Sequence, residues 1–388
     1  MINTKLGPNS TLSAIRRQTG AGSLCAFMKM YLHHRVPLPW SRMHKEISID
    51  YDQIGSTEPL HLVLAAPDGY GKTTMTTYGL VLWALAYKKC RCIVIGSHTR
   101  TAAGELLRGV DHELRTNKTL HTDFPHLVSI QRGSGASGSR ASPPRNILVQ
   151  DVARVTTSGP QLRLEEIDFV GSPPDLIILD GFEANPEDND WSKPKSKSKK
   201  LEKQMKRIRS KLPDTSLIMI DSLLYGTCLI DRLLVSGVSD RGWTRRFYSA
   251  VKKYPVEFDL WFKWADLWYE DPTQAQSFLN KHGDQLVEGT KVLWPEHESM
   301  EQLMILRARK GWEWFDRHRQ GCPLEGSIRA LNYDHYFGKP KLWDGPNCVI
   351  DSAGYHRVLD HEGVTLTMED DCSPEGRPLP ERSEGSGF

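Results

Sequence analysis

The sequence has no apolar run approaching the roughly 20 residues that a bilayer-spanning helix needs. Its longest candidate, "YGLVLWALAY", is about half that length and is read as a buried helix. The N-terminal stretch "MINTKLGPNSTLSAIRRQTG" lacks the apolar core of a secretory signal and is read as a polar, mobile lead-in. Cysteine is scarce: Cys25, Cys90, Cys92, Cys228, Cys322, Cys348 and Cys372 are scattered, odd in number, and without a CxxC pair. That pattern argues against a disulfide framework and a structural zinc site, and the expected compartment is reducing cytosol. Cys90 and Cys92 bracket Arg91 at the start of an apolar run, a spacing that suits strand packing better than metal ligation. An excess of one charge is also missing. Lys and Arg number 50 against 48 Asp and Glu, so any nucleic-acid affinity has to come from local patches. No internal repeat is present.

A composition of 39% hydrophobic and 25% charged residues over 388 positions allows a sizeable core and about two or three domains. "SLCAFMKMYLHH" reads as a short helix, and "LHLVLAA" as the first strong strand. A Gly-bearing loop and a helix from Lys72 to about Lys88 follow, then the strand "RCIVIGS" and the helix "TRTAAGELLRGVDHELRTN". Strand, loop, helix, strand, helix is the opening of a parallel α/β sheet. "GSGASGSRASPPR" is a loop, "NILVQ" and "ARVTT" are shorter strands, and "PDLIILDG" and "SLIMIDS" are buried strands closed by Asp180 and Asp221. Beyond residue 240 tryptophan becomes dense. "FDLWFKWADLWYEDPTQAQSFLNKH" and "SMEQLMILRARKGWEWFDRHRQG" read as amphipathic helices packing on the sheet, their Trp residues as core rather than base-stacking platforms. The C-terminal "EDDCSPEGRPLPERSEGSGF" has the composition of a disordered tail.

The segment "APDGYGKTT" follows a strand and precedes a helix, the setting of the phosphate-binding pattern G-x-x-x-x-G-K-[ST]. Ala66 and Pro67 open it, with Ala66 at the first Gly position, and Gly71, Lys72, Thr73 and Thr74 follow in register. Gly69 and Gly71 can take the positive φ values that turn backbone N–H groups toward phosphate. Lys72 suits β- and γ-phosphates, Thr73 can ligate Mg²⁺, and the helix start adds positive potential. A chance Gly-rich turn is the bland alternative. A second element, an apolar strand ending in an acid for the metal, is supplied at Asp180, whose alternative reading is a helix cap or turn residue. Together they predict ATP and Mg²⁺ binding in a P-loop NTPase: an α/β fold, its mainly parallel central sheet flanked by helices, with a helical C-terminal subdomain. Hydrolysis needs a carboxylate to activate water. Gly181 stands directly after Asp180, so Glu183 is the nearest candidate, with Glu187 and Asp188 further off. Glu183 reads equally as a solvent-facing loop acid.

From about His44 to Phe337 the chain resembles the large subunit of tailed-phage terminases. "APDGYGKTT" is similar to the family's "APRGHGKST", "PDLIILDGFEANPED" to "PDLIILDDIE", and "KVLWPEHESMEQLMILRARKGWEWFDRHRQGCP" to its "LWPE…L…G…F…Q…P" block. "WSRMHKEI" looks like the segment ahead of the ATPase core, which implies His44 near the base pocket. Asp221 and Ser222 stand where a Gly-Thr turn couples hydrolysis to movement. Three departures point to a slow or degenerate ATPase: Asp68 in place of a loop Arg, Gly181 in place of a second acid, and Asp221–Ser222 in place of Gly-Thr.

The resemblance implies an ATP-hydrolysing motor that drives double-stranded DNA into the prohead. Its implied partners are the portal protein and the terminase small subunit, in a homo-oligomeric ring in the host bacterial cytoplasm, with no membrane. Implied domains are 1–43, an N-terminal extension with a lead-in helix; 44–240, the ATPase core; 241–337, the Trp-rich part; and 338–388, the start of a nuclease-like domain and a tail. "NCVIDSAG" looks like a nuclease's opening strand, with Asp351 as its first acid, but too few residues follow to complete that fold, so no nuclease activity is expected. For DNA contact, "SKPKSKSKKLEKQMKRIRSK" carries ten Lys or Arg against one acid. Lys195, Lys197, Lys199 and Lys200 are its first candidates, against the alternative of a merely solvated helix. Arg241, Arg245 and Arg246 are further candidates, and Arg100, Arg140 and Arg154 could reach a neighbour's γ-phosphate. Two rivals stand beside the motor: a helicase-like P-loop ATPase, and a nucleotide-binding interaction module without turnover.

Overall fold

The computed structural model describes residues 8–133, 144–149, 153–160, 172–183, 194–224, 228–235, 242–322, 348–350 and 356–358. The chain divides into two units, Met1–Leu223 with Thr227–Arg246, and Leu224–Gly226 with Phe247–Phe388.

In the first unit the strands that read as unbroken apolar runs form the middle of the sheet. The eight strands of that sheet are β1 (His61–Ala65), β2 (Cys92–Gly96), β3 (Ile130–Gly133), β4 (Asn146–Val149), β5 (Ala153–Ser158), β6 (Leu176–Asp180), β7 (Ser216–Asp221) and β8 (Thr244–Phe247). Their order across the sheet is β3-β4-β5-β2-β6-β7-β1-β8. β5, β2, β6, β7 and β1 pair in parallel, while β3 and β4 add an antiparallel flank. Runs such as Leu176–Leu179 and Leu217–Ile220 are fully buried, as strands covered on both faces require. The register brings Ala65 opposite Asp221 and Asp180 opposite Ile220. The C-terminal tips of three neighbouring strands therefore end at one edge, where open α/β sheets place ligands.

The helices of this unit include α1 (Pro8–Ala21), α2 (Leu24–Tyr31), α3 (Arg42–Asp52), α4 (Val81–Ala86), α5 (Arg100–Thr116), α6 (Lys118–Asp123), α7 (Pro194–Lys211) and α8 (Leu229–Val235). The lead-in expected to be mobile is helical instead, as α1. Its Arg16 forks onto Asp123 at the end of α6, at 2.6 and 2.7 Å, and Tyr31 adds a hydroxyl at 2.8 Å. The helix expected from Lys72 to Lys88 is not uniform. Thr74–Leu80 is a π-helical stretch, and the regular turns of α4 follow it. Four threonines in "TTMTT" are weak helix formers, and π turns of this kind concentrate at functional sites. In α7, Ser198, Leu201, Met205 and Ile208 form the buried stripe; Lys199, Lys200, Lys203, Lys206, Arg207 and Lys211 face outward, while Arg209 is half-buried over the Trp243 ring.

In the second unit, α9 (Asp259–Glu270) and α10 (Pro272–Val287) replace the single helix expected there. Pro272 has no N–H to continue α9, and Asp271 caps α10 by accepting from the N–H groups of Thr273 and Gln274. Likewise α11 (Met300–Lys310) and α12 (Trp312–Phe315) divide at Gly311. Trp261 and Trp264 are buried as expected, but α9 packs along α10 within this unit, with the Trp261 indole N–H donating to the Leu286 carbonyl at 2.8 Å. β9 (Val251–Lys253) and β10 (Lys291–Val292) form one antiparallel pair, and β11 (Cys348–Ile350) and β12 (His356–Val358) another. Asp351 and the C-terminal tail lie outside the described residues.

Burial of Asp123 would raise its carboxyl, but hydrogen bonds from Arg16, Ser13 and Tyr31 outweigh it and hold the group below its ordinary value. A depressed carboxyl contributes stability above its unfolded pKa and loses it as pH falls through the folded value. Asp123→Ala is expected to cost about 3 kcal/mol in urea unfolding at neutral pH. The gap between parent and Asp123→Asn should narrow as pH drops below about 4.

Candidate functional site

The loop between β1 and the helix that starts at Lys72 carries Gly69 at φ 79° and Gly71 at φ 78°, values that disfavour any residue with a Cβ. A side chain at Gly71 would meet the His44 ring nitrogen at 3.1 Å. His44 is itself buried, at 1% exposure, at the start of α3. Its Nδ1 accepts from the Ser41 N–H at 3.2 Å, which leaves Nε2–H to donate to the Tyr70 carbonyl at 3.0 Å. His44 therefore braces the loop from behind. Tyr70 is fully buried beside it.

The loop is not collapsed. It and the strand tips enclose a cavity of about 360 Å³. Asp68, Gly69, Gly71, Lys72, Thr73 and Thr74 line one side; Asp180, Gly181, Asp221 and Ser222 line the other. Ala66, Pro67 and His44 are not in the lining. The carbonyls of Ala66 and Pro67 instead accept from the Lys72 ammonium at 2.7 and 2.9 Å.

Across the cavity the Asp180 carboxylate accepts from Thr73 at 3.1 Å and from Thr77 at 2.5 Å. Thr77 was missed in the sequence; its signal is the i, i+4 spacing from Thr73, which puts both hydroxyls on one helix face. Burial pushes the Asp180 carboxyl up, and the two hydroxyls and Lys72 oppose it. Burial also raises Asp221, against the Ser222 N–H and Lys72 and with help from Asp180 and Glu183, to about 7. Lys72 also donates to the Ser222 hydroxyl at 2.7 Å, and that hydroxyl contacts the Asp68 carboxylate. Asp68 thus engages the tip of β7, within the cavity wall.

Gly181 has φ 55°, and its carbonyl accepts from the Ser97 hydroxyl at 3.1 Å and the His98 N–H at 2.9 Å. A glutamate would be strained in that backbone conformation. Glu183 does not line the cavity. Its carboxylate accepts from the Ser198 hydroxyl in α7 and from the Leu229 N–H that opens α8. Glu187 and Asp188 lie outside the described residues.

The DNA candidates are less uniform. Lys199 and Lys200 are exposed on α7, whereas the side chains of Lys195 and Lys197 fall outside the described ones. Lys203, Lys206, Arg207 and Lys211 share the exposed face; the stripe Leu201, Met205 and Ile208 was the signal for them. Arg246 is not outward-reaching: it forks onto Asp50 at 2.9 Å through two nitrogens. Arg245 donates to the Leu233 carbonyl at 2.9 Å. Arg100 is exposed at the start of α5 and Arg154 is half-buried in β5; Arg140 and Arg241 lie outside the described residues. No helix of the described residues is long and apolar enough to cross a membrane.

His44→Ala removes the brace behind the loop. Hydrogen exchange at the Tyr70 and Gly71 amides should quicken at least about tenfold, and stability should fall by about 2 kcal/mol. Unchanged exchange at those amides would show that the loop holds itself.

No protein-family model matches the sequence, and no curated protein matches it. Among solved structures, the chain is similar to the HK97 bacteriophage large terminase, at 13% identity and a TM-score of 0.43, over 73% of this chain and 50% of that one. It is also similar to a mutant of the Thermus phage P74-26 large terminase ATPase domain, at 12% identity and a TM-score of 0.34, over 66% of this chain and 97% of that one. The chain spans about half the length of the HK97 protein.

Proposed function

We propose that this chain is the ATPase part of a phage terminase large subunit, a motor that spends ATP to move double-stranded DNA into a prohead. The observation that carries the nucleotide half is the Thr73–Asp180 contact across a cavity roofed by a loop with two left-handed glycines. A P-loop needs an open curve, a hydroxyl and an acid facing each other, and a lysine within reach; all of these are present.

The donor set around Thr73 and Asp180 is oxygen only, which suits Mg²⁺. Among the described residues no group of three or more His, Cys, Asp or Glu could hold a metal ion, so Mg²⁺ here would lean on nucleotide phosphates. Thr73 and Asp180 would hold it, the carboxylate through water. When bound, it would neutralise charge on the phosphates. Lys72 would leave the Ala66 and Pro67 carbonyls for the β- and γ-phosphates. The backbone N–H groups from Asp68 to Thr74 would cradle them, and His44 would keep the cradle's shape rather than touch the base. Glu183 would orient or deprotonate the attacking water. Ser222, already bonded to Lys72, would register the γ-phosphate and pass its loss to the DNA-holding surface, with Asp221 beside it.

DNA is assigned to α7, where Lys199 and Lys200 stand exposed, with Lys195 and Lys197 in its first turn. The terminase reading over a helicase-like ATPase rests on the block from "KVLWPE" onward. Portal protein, terminase small subunit, a homo-oligomeric ring and the host cytoplasm come with that reading. One observation favours a binding module without turnover: Asp68 lines the cavity where phosphate charge would sit.

The test is ATP turnover by purified protein with and without duplex DNA. Lys72→Ala and Glu183→Gln should each lower kcat about 100-fold or more. Parent protein that binds ATP without hydrolysing it would establish the module instead. A fully active Glu183→Gln would remove the carboxylate assignment while leaving the ATPase.

A further inference from the structure

Lys72, Ser222 and Asp68 can be followed proton by proton. The Lys72 ammonium has three N–H bonds, which go to the Ala66 carbonyl at 2.7 Å, the Pro67 carbonyl at 2.9 Å and the Ser222 hydroxyl oxygen at 2.7 Å. The Ser222 hydroxyl has one proton to give. Two acceptors face it, the Ala66 carbonyl at 3.1 Å and the Asp68 carboxylate, whose contact is shorter and whose charge makes it the stronger acceptor. Ser222 is buried at the tip of β7, and Asp68 is half-buried in the cavity wall. The backbone holds the acid there. The Tyr70 N–H closes a turn onto the Pro67 carbonyl at 3.4 Å, and Gly69 at φ 79° suits its third position. Buried Tyr70 anchors the far end of that turn. Among the described lining residues Lys72 is the one cation, against the acids Asp68, Asp180 and Asp221. Asp180 is engaged by Thr73 and Thr77, and Asp221 by the Ser222 N–H, so Asp68 is the acid that takes the proton of the lysine's hydroxyl partner.

We infer that Asp68 stands in for a terminal phosphate and makes the cavity favour a nucleoside diphosphate over a triphosphate. The inference rests on the proposed nucleotide-binding reading and adds the residue that sets its specificity. A β-phosphate in the cradle meets Lys72 and the backbone N–H groups, and Ser222 can keep its proton on Asp68. A γ-phosphate needs that same proton, and Ser222 has no second one to give. It also meets the Asp68 charge in a wall where repulsion is screened less than in bulk water. The cost therefore falls on the third phosphate. One charge-assisted hydrogen bond exchanged is worth about tenfold in affinity. Asparagine at this position would keep the shape and lose the charge, which removes both the repulsion and the stronger acceptor.

The test is isothermal titration calorimetry on the full chain with two probes: MgADP, and the Mg²⁺ complex of the β,γ-imido analogue of ATP, which resists hydrolysis. The parent should bind the diphosphate more tightly. Asp68→Asn is expected to lower Kd for the imido triphosphate about tenfold and to change Kd for MgADP by less than about threefold. Asp68→Ala, which removes charge and acceptor together, should shift the two probes in the same way, and MgADP binding by either variant shows that the loop is folded. Variants that strengthen both probes equally, or neither, would overturn the inference and leave the nucleotide site standing. So would a parent that already binds the triphosphate analogue at least about tenfold more tightly than MgADP. A parent that binds neither probe would take the proposed function down with the inference.

Discussion

A carboxylate at the end of a buried strand has to be compensated, and the site is arranged around that requirement. Asp180 closes β6 after four fully buried residues and is itself half-buried at the cavity wall. Burial raises its carboxyl, and the hydroxyls of Thr77 and Thr73 and the Lys72 ammonium oppose that. Thr73 and Thr77 reach it from the first turns of the facing helix, which fixes where that helix begins and how it is rotated. The π-helical stretch over Thr74–Leu80 keeps Thr77 on Asp180 while Thr76 turns to Tyr51, whose hydroxyl lies 2.7 Å away. One acid therefore sets the position of the loop, because the loop is what joins that helix to β1.

The same reasoning extends to the neighbouring charges. Lys72, Asp68 and Ser222 form a chain in which the ammonium meets two loop carbonyls and a hydroxyl, and the hydroxyl meets a carboxylate. Such a cluster is satisfied without an anion in the cavity. A phosphate entering the cavity would have to take Lys72 from its carbonyls and tolerate Asp68, whose carboxylate is engaged by the Ser222 hydroxyl.

Much of this was readable from the residues. The unbroken apolar runs gave the parallel strands because strands covered on both faces need no polar alternation. Gly71, Lys72, Thr73 and Asp180 come together as expected because loop and strand tip each carry local signals. What could not be read is where a side chain goes when two partners compete for it. Glu183 is a short step from Asp180 in sequence, yet it bonds to α7 and α8. Arg246 looks like a surface cation beside aromatics, yet it serves Asp50 on α3. His44, which the resemblance placed near a base, also braces the loop through Tyr70, a contact 26 residues away that no local pattern announces. Helix breaks at Asp271–Pro272 and Gly311 had local signals that the longer apolar periodicity overrode in reading.

The position after Asp180 ties these threads together. A left-handed backbone at Gly181 turns the chain so that its carbonyl meets Ser97 and His98, a conformation that favours glycine directly after Asp180. Beyond that turn the chain moves toward α7 and α8, where the Glu183 carboxylate accepts from the Ser198 hydroxyl and the Leu229 N–H and takes no part in the cavity lining. An acid directly after Asp180 would stand beside the cavity; the turn at Gly181 sets the next acid against two helices instead.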